Sequence, residues 1–241
     1  MNQASLTEAV SSTMDISVIS TGPEYNLSDP VWAINWFDLK APKLYQFYLS
    51  LASKHVQGVK AIPFFKGQLI KRIEGDEKGE RGNLLVVNYP SPESFLKMIK
   101  SKLFQFKSIL RVLAVKDFTF GFMMRTDDGE PPKETISKYE GQLIYLVHHF
   151  QNGHKRIDAS GLKELAASYD IFMHFAGTKS HIVGRKRKNE RLKTAPFYME
   201  GLIILGAFEE SQFDNLLTSV SYREFMKDNS SNYLGLFRRE I

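Results

Sequence analysis

Three histidines carry the richest chemistry this chain offers. His148 and His149 are adjacent in the apolar run Gln142 to Phe150, and His174 falls in the next one, Ile171 to Val183. An imidazole exchanges protons near neutrality and binds metals, so His148, His149 and His174 are the candidate catalytic residues. Side chains alternate along a strand, so one of the adjacent pair faces any packed helices and the other the opposite side. A histidine on that opposite side, near Tyr145, Asn35 or Asp38, suits proton transfer, and His148 or His149 with His174 suits a metal or haem. Neither an HxH nor an HExxH spacing occurs, and no metal site is expected. Trp32 and Trp36 lie four apart on one predicted strand and so share a face. With Asn35 and Tyr145 they complete a candidate ligand-binding set: Trp32, Asn35, Trp36 and Tyr145. The plainer readings stand beside these: buried histidines in ordinary hydrogen bonds, and tryptophans packed against a helix.

Composition closes several classes. With no cysteine the chain has no disulfide, thiolate nucleophile, Cys-ligated zinc or iron–sulfur cluster. No apolar run approaches the roughly 18 to 20 residues of a membrane helix, and the first residues have neither the basic nor the apolar region of a secretory signal, so a cytoplasmic, membrane-free protein is expected. A net charge of +5 from 32 basic and 27 acidic residues is weak evidence for a nucleic-acid partner. The densest basic run, Arg185 to Lys193, reads as a solvated hairpin loop. Glycine-rich phosphate loops are absent, and no nucleotide cofactor is expected.

Elements that would position these residues follow from periodicity. Residues 1–28, rich in Ser, Thr, Asn and Asp, read as an arm outside the core. From 29 to 125 the order is strand (Val31 to Leu39), helix (Leu44, Phe47, Leu51 and His55 at helical spacing behind Pro42), hairpin (Val59 to Tyr89 with a charged loop), helix (Phe95 to Leu113) and strand (Lys116 to Met124). Residues 126–141, with Asp-Asp-Gly-Glu-Pro-Pro, read as a linker. The same order recurs over 142–241. One constant offset sets Val86 on Ile204, Phe95 on Phe213, Ile99 on Leu217, Ser101 on Ser219 and Phe104 on Tyr222. The chain reads as a duplicated βαββαβ unit. Bulky strand residues, among them Trp32, Ile34, Trp36, Phe118, Phe120, Phe122, Leu202, Ile204 and Leu205, exceed what one sheet face uses. The fold class expected is therefore α+β: two tandem ferredoxin-like units whose antiparallel sheets pack face to face.

These residues resemble the dimeric α/β-barrel superfamily and, within it, the unknown-function family numbered 1330. The resemblance rests on Leu202 to Phe237, including Phe208-Glu209-Glu210, Phe213 and Tyr222-Arg223-Glu224-Phe225, and on Leu84 to Met124, including Tyr89-Pro90-Ser91, Phe95 and Ser101. The chain departs from the family pattern at Asn229 to Ser231, where a basic residue is usual, and Arg111 is its counterpart in the first copy. The resemblance implies an intramolecular α/β barrel with a lumen. It implies no single reaction, since the superfamily holds cofactor-independent monooxygenases, haem-binding enzymes and polyketide cyclases.

The expected function is binding of a small hydrophobic or aromatic molecule between the sheets, with cofactor-independent acid–base or oxygenase- or cyclase-like catalysis if it is an enzyme. No cofactor is predicted; haem is allowed only by the resemblance. A homodimer is compatible. The alternatives are a non-catalytic interaction or structural protein with a filled interior, and an RNA-binding protein using the basic loop. The second is disfavoured because Asn83, Leu85 and Asn88 stand where an RNA-recognition strand has stacking aromatics.

Overall fold

The computed structural model describes residues 29–75, 81–126, 143–150, 158–180, 201–228 and 231–240. The arm 1–28, all but the first residue of the linker 126–141, and the basic run Arg185 to Lys193 lie outside the described residues. The first half comprises β1 (Val31–Leu39), α1 (Pro42–Gly58), β2 (Ile62–Gly75), β3 (Asn83–Tyr89), α2 (Pro92–Lys100), α3 (Lys102–Ala114) and β4 (Val115–Arg125). The second half comprises β5 (Ile144–Phe150), α4 (Ala159–Ala167), β6 (Phe172–Ser180), β7 (Gly201–Ala207), α5 (Glu210–Thr218), α6 (Val220–Asp228) and β8 (Ser231–Arg239). The element order repeats in full. No helix among the described residues is long and apolar enough to cross a membrane.

Local chemistry repeats as well. Each long second helix expected from periodicity is broken in two at a serine. Ser101 and Ser219 take extended backbone angles, and each side chain then accepts from a backbone N–H three residues on, Phe104 at 3.5 Å and Tyr222 at 3.1 Å. A serine at an N-cap satisfies a donor that the new helix start would leave open. The first helix of each half also ends alike. Ala61 N–H reaches the Val56 carbonyl and Ile171 N–H the Ala166 carbonyl, over Lys60 and Asp170 at φ 57°. This is the left-handed helix terminus normally given to glycine.

Two ferredoxin-like sheets packed face to face are not what the chain forms. The strands close into one barrel in the order β1-β3-β2-β8-β5-β7-β6-β4. β2 pairs antiparallel with β8 from Gly67↔Arg239 to Gly75↔Tyr233, and β8 continues onto β5, β5 onto β7 and β7 onto β6. The Lys66–Glu240 ion pair at 2.6 Å fastens the end of the β2–β8 seam. Hydropathy reports which faces are buried, and every residue of β7 is buried, as a strand covered on both faces requires. It does not report what strand edges do. An open edge exposes a row of unpaired N–H and C=O groups, and closure removes it.

The chain divides into two compact units, one of residues 1–64, 86–122 and 180–196, the other of 65–85, 123–179 and 197–241. In the first, Phe37 meets Tyr45 of α1 at 5.0 Å between ring centroids, and Phe95 of α2 meets Phe120 and Phe122. Phe118, Phe120 and Phe122 thus serve the helix side of β4, not the opposite side to which their number had pointed. In the second, Leu146, Phe150, Met173, Ile203, Leu205, Leu234 and Leu236 form one core with Leu162, Phe213, Leu216 and Tyr222 of the helices. By alternation, Tyr145, Val147, His149, Leu202, Ile204, Tyr233, Gly235 and Phe237 line the other, interior face.

Candidate functional site

Tyr145 and His174 come together on that interior face of the second unit. β5 delivers Tyr145 because Leu146, its neighbour, is committed to the helix core. His174 arrives by a bulge: the β6–β7 register shifts between Met173 and Phe175, on either side of it. Such a bulge re-aims a side chain. The Tyr145 and His174 rings meet edge-on at 5.1 Å. Phe65 completes a triangle with them at 5.1 and 5.7 Å, and Phe172 lies 6.4 Å from both.

Burial governs the electrostatics. His174 is 1% exposed, and desolvation, followed by the positive charges of Arg239 and Arg125, pushes its pKa down to about 3. Burial alone brings His149 to about 4. Both imidazoles are neutral at neutral pH, since burial in a low-dielectric interior disfavours the charged form. His174 is therefore a hydrogen-bonding ring within an aromatic cluster, and Tyr145 sets a phenol beside it.

His148 faces the other way. Its ring stacks on Phe150 at 5.7 Å, tilted only 8°, and Nε2 hydrogen-bonds the Tyr222 hydroxyl of α6 at 3.3 Å. Burial lowers its pKa to about 3 and, together with the Glu74 charge, raises that of Tyr222. Nδ1 of His148 has no hydrogen-bond partner among the described residues. The adjacent histidines thus divide between the two faces as strand alternation requires, His148 on the helix side and His149 on the side of Tyr145.

Trp32, Asn35 and Trp36 belong to the first unit. Trp32 meets Phe64 edge-on at 4.8 Å, and Trp36 is buried on the same face of β1. Asn35 is on the opposite face, which it shares with Ala33, whose carbonyl it reaches at 3.4 Å, and with Phe37, which packs on Tyr45.

Residues not singled out from the sequence complete the interior of the second unit. A Cβ added at Gly67 would lie 2.6 Å from the Phe65 ring, one at Gly177 2.7 Å from Phe175, and one at Gly235 2.8 Å from the Tyr233 hydroxyl; at Gly206 it would strike Phe172. Aromatic rings therefore occupy the space that a side chain would need at glycines of the same face. The signal was in the sequence: Phe65-Lys66-Gly67, Phe175-Ala176-Gly177 and Tyr233-Leu234-Gly235 repeat an aromatic residue two positions before glycine, the spacing that puts both on one strand face. Among the described residues no group of three or more His, Asp or Glu is arranged to hold a metal. Phe65, Tyr145 and Phe172 surround His174, which is 1% exposed.

No family model matches the chain, the unknown-function family numbered 1330 included, and no curated protein does. Among solved structures, a chlorite dismutase mutant from Candidatus Nitrospira defluvii in complex with cyanide is similar over 90% of this chain and 92% of its own, at 7% identity and a TM-score of 0.49. SnoaB, a cofactor-independent oxygenase from Streptomyces nogalater, is covered over 99% of its length by 43% of this chain, at 10% identity and a TM-score of 0.31. A Rhodopseudomonas palustris protein of unknown function, RPA0582, is similar over 53% of this chain and 96% of its own, at 13% identity and a TM-score of 0.40. At these identities and scores the likeness says nothing of what this chain binds or does.

Proposed function

We propose that the chain is a cytoplasmic member of the dimeric α/β-barrel superfamily, duplicated over 29–125 and 142–241, and that it binds a small, flat aromatic molecule at Tyr145 and His174. The observation that carries this reading is the bulge that turns a histidine into an aromatic interior beside a tyrosine. A neutral imidazole beside a phenol sets directional polar groups among flat rings. That combination suits a flat aromatic ligand that hydrogen-bonds at His174 or Tyr145 and stacks on Phe65 or Phe172. Binding is favoured over proton-transfer catalysis by the basicity of the site. A group with a pKa of about 3 is a weak base at neutral pH, whereas efficient general bases lie near the working pH.

A second reading is favoured by the rings seated on Gly67, Gly177 and Gly206: a structural protein with a filled interior. One experiment separates the two. Purified protein and its His174→Leu and Tyr145→Phe variants are screened by thermal shift and native mass spectrometry against flat aromatic compounds. Saturable binding to the wild type, weakened at least about tenfold in both variants, supports the ligand site. Absence of binding, with His174→Leu more stable than wild type, supports the filled interior and sinks the ligand site.

A further inference from the structure

Arg239 and Arg125, whose charges reach His174, occupy matching places at two strand seams of the second unit. At the β2–β8 seam Arg239 stands directly across from Gly67, so its side chain leaves from the interior face that Gly67 shares with Phe65. Phe237, two residues before Arg239, is on that face as well, its ring 3.3 Å from where a Cβ on Gly67 would stand. At the β4–β6 seam Met123 takes the place of Phe237, 3.2 Å from where a Cβ on Gly177 would stand, and Arg125 follows two residues later. The backbone bonds across the two seams match too. Glu240 N–H donates to the Lys66 carbonyl at 2.8 Å, and Thr126 N–H to the Ala176 carbonyl at 2.9 Å. Each bond runs from the residue after the arginine to the residue before the glycine. The seams thus carry the same set: Phe65, Gly67 and Arg239 at one, Phe175, Gly177 and Arg125 at the other.

Both seams converge on one histidine. The Phe65 ring meets that of His174 at 5.7 Å, Phe175 follows His174 in the chain, and the two charges acting on His174 are both positive. Glu240, next to Arg239, alternates to the opposite face, where Lys66 pairs with it at 2.6 Å. Nε and Nη1 of Arg239 are buried atoms, and a charge held away from water is screened little by salt. A guanidinium stays protonated and presents a planar fork that matches a carboxylate. Flat rings beside such a field suit an aromatic molecule with an acid at its edge. We infer that the ligand is an aromatic carboxylate, its ring among Phe65, Tyr145 and Phe172 and its acid group turned to Arg125 and Arg239. This rests on the aromatic site proposed above and adds the sign of the ligand's charge.

Calorimetry on the full chain at pH 7 tests it with pairs of matched shape, benzoate against benzamide and naphthoate against naphthamide. The acids are expected to bind at least about tenfold more tightly than the amides. Arg125→Gln and Arg239→Gln should each lower that preference, their combination should bring the ratio to about one, and Arg239→Lys should keep more of it than Arg239→Gln. Because the preference is a ratio within one variant, loss of folded protein does not imitate its loss. Acid and amide bound equally by the wild type overturn the inference and leave the aromatic site standing. An acid preference that survives the double substitution also overturns it, since the anion would then be held elsewhere. Neither acid nor amide bound by the wild type removes the aromatic site and this inference with it.

Discussion

On the helix side of β5 the His148 imidazole is stacked on Phe150 and bonded to Tyr222, out of reach of the water that would support its charge. Its pKa of about 3 lies below the ordinary value of 6.5. Between these two pH values the unfolded chain binds a proton that the folded chain does not, so folding stability present above about pH 6.5 is lost as pH falls toward 3. His149 and His174 act in the same direction, each with a limiting slope of about 1.4 kcal/mol per pH unit. Urea unfolding at pH 7 and pH 5 is expected to show the loss, and His148→Gln, which keeps a bond to Tyr222 but cannot titrate, to reduce it by one histidine's share. On the interior face, Gly67→Ala is expected to drive the Phe65 ring off its seat and away from Tyr145 and His174, because the new Cβ would lie 2.6 Å from that ring. Overpacking of this kind costs about 1 to 3 kcal/mol, read as a lower urea midpoint. Alternation made the opposed faces of His148 and His149 legible in advance. It did not make His174 legible, because a bulge breaks the period on which such a reading depends, and no residue of Met173-His174-Phe175 announces one.

Strands and helices were legible where periodicity ran unbroken, as in β1, β5 and β7. The second helix of each half was readable only as one long element, because Phe95 to Leu113 keeps helical spacing straight through Ser101. The serine pair at 101 and 219 had been aligned as a mark of duplication; its role is to end one helix and cap the next. Ser219→Ala is expected to cost about 1 kcal/mol, and Ser101→Ala less, since the bond to Phe104 is 3.5 Å long against 3.1 Å to Tyr222. Thermal denaturation of the two variants side by side checks the ranking. At the helix ends, Lys60→Gly and Asp170→Gly should raise stability, because a non-glycine residue at φ 57° carries about 1 kcal/mol of strain. The gain should be larger at Lys60, as aspartate tolerates that conformation better. The exposed row on α3 shows the other limit of periodicity. Leu103, Phe106, Leu110 and Leu113 mark a helix correctly, yet the face they mark is not the one this unit buries.

At the scale of the whole molecule, hydropathy pointed to strands buried on both faces but not to their closure, since it carries information about faces and none about edges; a barrel was implied by the family resemblance alone. The consequence is testable because the seam between β2 and β8 joins strands from the two halves of the chain, while β5, β7 and β6 continue the sheet from the far side of β8. Residues 142–241 expressed alone would retain the core of Leu146, Leu162, Ile203 and Phe213 and lose β2. β8 would then present the backbone groups that pair from Gly67↔Arg239 to Gly75↔Tyr233 as an open edge, with Phe237 and Tyr233 uncovered beside it. Exposed edges of this kind recruit other chains. Light scattering coupled to size exclusion is expected to find the fragment above its monomer mass or aggregated. Adding separately refolded residues 29–125 should return it to a one-to-one complex, since that piece supplies β2 and the Lys66 partner of Glu240. A stable, monomeric 142–241 would mean that the seam contributes little and that each half holds its fold without barrel closure.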